Sequence, residues 1–196
     1  MRPIVLLLTL AVFVSAQEAG KAVVPTVSLE DQFERANDLK SYRGSVVALI
    51  YGDKESAQAN QQLGEMIHTR FHPTAKGKPP GEARRQPVIP VAGAPKDAKH
   101  PEVVAIPVAC IGKVPNLVAR LIRNQIRKGS PEVPVWLDFG ETMKSQFPFK
   151  PGVPNVVVID AQGRYRFAAA GHATTEGTNR LLGIIEGLRK EALDGK

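Results

Sequence analysis

The chain has 196 residues, 26 of them Lys or Arg against 19 Asp or Glu, giving a formal net charge of +7 at pH 7. That length is enough for one domain with a real core, and the single cysteine excludes an internal disulfide, so packing alone must hold the domain together. The basic balance favours anionic partners or surfaces and leaves the fold open.

Residues 1–16, MRPIVLLLTLAVFVSA, combine one basic residue, an apolar run from Ile4 to Val14 and the small-residue end Val14-Ser15-Ala16. This is the layout of a secretory signal peptide, with cleavage expected after Ala16. The apolar run is too short to span a bilayer. No cysteine follows it that could carry a lipid, and no second transmembrane candidate exists. The mature protein is therefore expected to be exported, periplasmic or secreted, with a charge of 25 − 19 = +6 once Arg2 has left. Residues 17–22 read as an N-terminal tail and 23–196 as the domain.

Val23–Leu29 reads as a short strand, followed by a polar turn and one helical turn ending at Gly44. Val46–Tyr51 is an apolar run suited to a strand buried on both faces. After the turn Gly52-Asp53-Lys54, a helix from about Glu55 to Arg70 lines up Ala59, Leu63, Met66 or Ile67, and Phe71. Residues 73–101 hold seven prolines, three glycines, six Lys or Arg and two acids. That composition predicts a long, flexible, exposed Pro-rich basic insertion. Glu102–Ile111 reads as an apolar strand in which Pro107 marks an edge position or a bulge.

A helix over Pro115–Lys128 is expected to bury Leu117, Val118, Leu121, Ile122 and Ile126, with Pro115 in its first turn and Gly129 ending it. Val133–Phe139 reads as a third buried strand, followed by a short helix near Glu141–Gln146. Pro154–Asp160 and Arg164–Ala170 form a hairpin turning at Ala161-Gln162-Gly163. A final helix, about Thr175–Leu193, presents Leu181, Ile184, Ile185, Leu188 and Ala192. The pattern predicts an α/β domain: a mixed sheet with helices on both faces, closed by a hairpin and a helix.

Three stretches carry a resemblance. VSLEDQFERANDLKSYRGSVVALIYG resembles the opening of exported thioredoxin-like (redoxin, AhpC/TSA–TlpA type) proteins. Gly152-Val153-Pro154-Asn155 leading into Val156–Asp160 is similar to their proline loop, and VVVIDAQGRYRF to their closing hairpin. The corner Gly52…Ser56-Ala57…Asn60 looks like that of the YtfJ-like exported branch. The resemblance implies a thioredoxin-like fold and a cis Val153-Pro154 bond facing the active corner. It also implies that the two redox cysteine positions fall on Glu55 and Gln58. Neither side chain can form a thiolate, so neither can attack a disulfide or peroxide.

Two functions follow from this. The first is a redox-inactive binding module that uses Asp53, Lys54, Glu55, Gln58, Val153 and Pro154 to hold a protein or small ligand at the vacated site. Against it stands a plain charged turn, Asp53 capping the helix and Glu55 complementing its dipole. The second is a thiol-dependent oxidoreductase or peroxidase using Cys110 with an external resolving thiol, its pKa lowered by Lys113. Against it stands a buried core cysteine.

Arg120, Arg123 and Arg127, extended by Lys128, form a basic stripe that could dock on an anionic envelope surface or face solvent. The basic runs lack interleaved aromatics, which argues against nucleic acid. Glu65, His68 and His72 could share a helix face but lack a further ligand, so no metal is expected. Without a phosphate-binding loop, a Gly-x-Gly-x-x-Gly or a nucleophile elbow, no cofactor is expected either.

Overall fold

The computed structural model describes residues 24–95 and 97–195, so the expected signal peptide and tail lie outside the described residues. The strands are β1 (Ser28–Asp31), β2 (Ala36–Asp38), β3 (Val46–Gly52), β4 (Val103–Cys110), β5 (Trp136–Asp138), β6 (Asn155–Ile159) and β7 (Tyr165–Ala170). The helices are α1 (Ala57–Phe71), α2 (Pro80–Ala83), α3 (Asn116–Gly129), α4 (Thr142–Gln146) and α5 (Thr175–Leu193), with 3-10 turns at Leu39–Tyr42 and Pro73–Ala75.

All seven strands share one sheet in the order β2-β1-β5-β4-β3-β6-β7. β3, β4 and β5 run parallel, and the other pairings are antiparallel. The apolar run of β3 lies between β4 and β6 and is buried along its whole length. Because side chains alternate across a strand, Val47, Leu49 and Tyr51 enter one core while Val46, Ala48 and Ile50 enter the other. On the first face Leu39, Met143 of α4 and Phe147 close the core. On the second, Leu63, Ile67 and Phe71 of α1 meet Leu181, Ile185 and Leu188 of α5. Each fully buried aliphatic side chain contributes ~1.5–3 kcal/mol of transfer free energy, and β3 feeds both layers.

Several expectations need correction. The polar stretch after β1 forms a second strand before the helical turn begins. Asp31 reverses the chain there: its Oδ1 accepts from Phe33 N at 2.8 Å and Arg35 N at 3.0 Å, and Glu34 takes a positive φ of 64°.

Residues 73–101 do not form a plain exposed loop. They carry the 3-10 turn and α2, and they bury Ala75 and Val91. Val88 and Ile89 pack on the second core. Ile89 N donates to Phe71 O at 2.8 Å, and the fully buried Arg189 donates from Nε to Pro101 O at 3.1 Å and from Nη2 to Ile89 O. Polar anchors from α1 and α5 supply what the segment's own composition does not.

Pro107 sits inside β4 opposite Ile50 of β3, while pairing with β5 begins only at Val108. The first half of β4 is therefore a local edge, where a residue without an N–H is tolerated.

α3 has no buried residue, contrary to the expected burial of Leu117, Val118, Leu121, Ile122 and Ile126. Leu117 is 70% exposed and Leu121 62%. Arg123 and Arg127 face the protein instead. Arg123 Nη1 donates to Asp31 O at 2.8 Å and Nη2 to Glu30 Oε2 at 2.6 Å, while Arg127 Nη2 donates to Gln32 O at 2.7 Å. Their guanidinium groups also lie over Phe139 and Phe33, a cation–π placement.

The expected cis Val153-Pro154 bond is not found, since every peptide among the described residues is trans. The loop turns by other means. Gly152 takes a φ of +73°, and Asn155 brackets the bend, donating from Nδ2 to Lys150 O and Val153 O at 2.9 Å and accepting from Lys150 N at 2.7 Å.

Candidate functional site

The turn after β3 is built by its small residues. A Cβ on Gly52 would fall 2.1 Å from Ser56 Oγ and 2.7 Å from Asn60 Nδ2, so only glycine lets β3 approach the start of α1 this closely. Ser56 is buried and donates from Oγ to Asp53 O at 3.0 Å, and Asn60 Nδ2 donates to Ser56 Oγ at 3.2 Å. Asn60 Oδ1 is buried without a partner. An unsatisfied buried acceptor of this kind costs ~1–3 kcal/mol. Sequence reasoning noted Ser56 and Asn60 only as part of a resemblance; their polar types at the head of an apolar helix face were the available signal.

Asp53 joins this corner to the loop before β6. Its Oδ1 accepts from Ser56 N at 3.1 Å and its Oδ2 from Gly152 N at 2.7 Å. Partial burial pushes its carboxyl upward, but the hydrogen bonds from Gly152 and Ser56 outweigh that and hold the pKa below the ordinary value. Of the expected binding residues, the structure thus brings Asp53 to the loop beside Val153. Pro154 itself is buried, its carbonyl accepting from Gly171 N at 2.9 Å, so it lines no surface. Lys54, Glu55 and Gln58 are exposed.

Cys110 ends β4, in register with Asp138 of β5 and one residue beyond Ala109, the partner of Gly52. It is half-buried. Burial pushes its thiol up to about 12, with Asp138 adding to the rise; Lys144 and a backbone hydrogen bond from Gly52 oppose it without prevailing. The nearby cation is Lys144 of α4, not the expected Lys113. Asp138 went unnoticed in the sequence. It is fully buried and caps α4, accepting from Thr142 N at 2.9 Å and Met143 N at 2.8 Å. On the same side of the sheet, Tyr51 donates its hydroxyl to Pro148 O and leans on Phe147 and Phe149.

The histidines on α1 serve structure. His68 and His72 stack at 4.4 Å. His68 Nε2 lies 3.0 Å from Ala83 O, and the two ring nitrogens of His72 lie 2.9 Å from Gln86 O and 3.0 Å from Val103 O. These contacts pin residues 83–86 against α1 and β4 and engage both ring nitrogens of His72. Glu65 is exposed, and among the described residues no three His, Cys, Asp or Glu converge on a metal position. A cleft of about 250 Å³ opens at the other end of β4, lined by Asp31, Arg35, Tyr42, His68, Arg84 and Glu102 among others. Its lining mixes both signs of charge, and it is remote from the Asp53 corner. Among the described residues no helix is long and apolar enough to cross a membrane.

Of the basic stripe, Arg123 and Arg127 hydrogen-bond within the protein, though Arg127 stays exposed, as do Arg120 and Lys128.

No protein-family model matches the chain, and no curated protein sequence matches it. Its similarity is to solved structures. A secreted thiol-disulfide isomerase from Corynebacterium glutamicum aligns with a TM-score of 0.55 at 14% identity, covering 90% of this chain and 92% of that one. The exposed lipoprotein thioredoxin Etrx1 of Streptococcus pneumoniae aligns at 0.50 and 13% identity over 81% and 98% of the two chains. A thiol:disulfide interchange protein of the thioredoxin family from Chlorobium tepidum gives 0.50 and 13% over 87% and 100%. At such identities the likeness speaks for the fold and does not select a branch within it. With its mixed sheet, the helices on both of its faces and the closing hairpin and helix, the chain has a thioredoxin-like α/β fold.

Proposed function

We propose that this protein is an exported, redox-inactive member of the thioredoxin-like fold that works by binding. The observation that carries the reading is the state of its only thiol. Cys110 is half-buried with its pKa pushed up to about 12, so at neutral pH it holds almost no thiolate, the form that attacks disulfides and peroxides. The corner where the fold's thiol enzymes keep their cysteines, read here as Glu55 and Gln58, holds no sulfur. It is occupied instead by the Asp53–Ser56–Asn60 hydrogen-bond set, which ties the corner to the Gly152 loop. The exposed Lys54, Glu55 and Gln58 then offer a polar face to a protein or small-ligand partner. The signal-like residues 1–16 and the secreted or surface-exposed character of two of the structural neighbours support export.

The rival reading, an oxidoreductase or peroxidase relying on Cys110 and an external thiol, is separated by alkylation. Cys110 is expected to react slowly with iodoacetamide at neutral pH, at a rate that climbs with pH without levelling below about 12, and to react fast once denatured. Rapid native labelling that levels off near neutral pH, accompanied by turnover of a disulfide or peroxide, overturns the proposal.

A further inference from the structure

α3 turns its first two turns of apolar residues outward, while Ile122 and Ile126 further along are half-buried. Among the described residues, the large exposed hydrophobics are Val24, Leu117, Val118 and Leu121, and three of these four lie within two turns of this one helix. Leu117 is 70% exposed, Leu121 62% and Val118 40%. Helical spacing puts Leu117 and Leu121 on one line, with Val118 beside them and Lys128 continuing the line toward the C-terminal end. Arg120 flanks the leucines on the other side, and Lys113 precedes the helix; all three cations are exposed. From Ile111 through Pro131 the sequence contains no Asp or Glu. The inward side of the helix is anchored by Arg123 and Arg127 on the carbonyls of Asp31 and Gln32. This anchoring fixes the leucines in solvent without any further part of the described chain to cover them.

An exposed leucine line with cations at its flank and end, and no acid within the surrounding 21 residues, is complementary to a surface that is apolar below and anionic above. That is the chemistry of an anionic phospholipid headgroup layer. Leucine side chains enter the acyl boundary, and Lys and Arg reach up to phosphate along their aliphatic stems. A second copy of the chain fits less well, because pairing the two leucine lines brings Arg120, Lys113 and Lys128 against their own images with no carboxylate on the helix to receive them. We propose that α3 is an interfacial element that docks the folded protein on anionic bilayer surfaces. This does not depend on what the Asp53 corner binds.

Vesicle flotation tests it, using the chain from Gln17 onward so that the apolar run Ile4–Val14 cannot itself insert. The protein is expected to float with phosphatidylethanolamine–phosphatidylglycerol vesicles, to release as salt is raised, and to stay behind with pure phosphatidylcholine. L117Q/L121Q should weaken binding by roughly tenfold per leucine, and R120Q/K128Q by about fivefold per charge. Both pairs are exposed, so the unfolding midpoint should not move, which separates lost docking from lost folding. Absence of flotation on the anionic vesicles overturns the proposal. So does binding that survives L117Q/L121Q undiminished, or a dimer in sedimentation velocity that L117Q/L121Q dissolves.

Discussion

Asp53 is the residue whose loss should be felt across the candidate site, because its carboxylate ties the start of α1 to Gly152 in the loop before β6. Asp53→Ala removes two acceptors. Losing the contact to Ser56 N at 3.1 Å strips a donor at the start of α1, an effect of the size of a lost helix cap, ~1 kcal/mol. Losing the charge-assisted contact to Gly152 N at 2.7 Å costs ~1.5 kcal/mol, the low end for a bond to a charged group, because Gly152 is exposed and water replaces the acceptor. Together about 2–3 kcal/mol should be lost, lowering Tm by about 5–10 °C for a domain of this size. Asp53→Asn keeps one acceptor and turns an N–H₂ toward the other donor, so about half the loss is expected.

The pH dependence supplies the sign. The folded pKa of Asp53 lies below its ordinary value of 3.8, so its contribution is complete above that pH and fades as the pH falls through the folded value. Urea unfolding at neutral pH should therefore show a gap between wild type and Asp53→Asn that narrows on acidification to about pH 3. Amide exchange at Gly152 should accelerate in both variants. A loss under about 0.5 kcal/mol for Asp53→Ala, within the usual range of surface substitutions, or a gap indifferent to pH, refutes the clamp.

Other consequences concern the anchored segment 73–101. Arg189→Met leaves the carbonyls of Ile89 and Pro101 without their donor and Glu186 without its partner. It should cost about 3–5 kcal/mol in denaturant unfolding and free the backbone around the already exposed Arg84, Arg85 and Lys99 for cleavage by trypsin before the rest of the chain; resistance equal to wild type would sink the anchoring role. The pKa of His68 is lowered from 6.5, chiefly by burial, with His72 and Arg84 adding to the fall against the Ala83 carbonyl and Glu102. The unfolded chain thus takes up the proton first, and stability should fall as pH drops below about 6.5. His68→Gln should flatten that acid limb in thermal melts; an unchanged limb assigns it to other groups.

Four strands were legible from sequence because they are runs of largely apolar residues whose burial needs no distant partner: β3, β4, β6 and β7 are all within a few residues of their expected bounds, whereas the short polar β2 was not. What escaped was held together by side chain to backbone contacts across long sequence distances. Arg189 reaches Ile89 and Pro101, His72 reaches Gln86 and Val103, and Asp53 reaches Gly152. No periodicity encodes such pairs, so a Pro-rich segment reads as loose even where three elements grip it. The proline loop differs, because the contacts that shape it are local: Asn155 reaches back to Lys150 and Val153, and Gly152 takes a positive φ.

The same limit explains α3, and it has a functional edge. Hydrophobic periodicity says that a helix has an apolar stripe, and burial is the usual consequence. Which side faces inward, however, is decided by competition. Here the arginine side finds two backbone carbonyls, the Glu30 carboxylate and the faces of Phe33 and Phe139. Together with the half-buried Ile122 and Ile126, these contacts hold the helix and leave the leucines out. An inward-facing leucine stripe would have made α3 one more piece of the core. Turned outward beside Arg120 and Lys128, the same residues leave an amphipathic surface with nothing in the described fold to satisfy it.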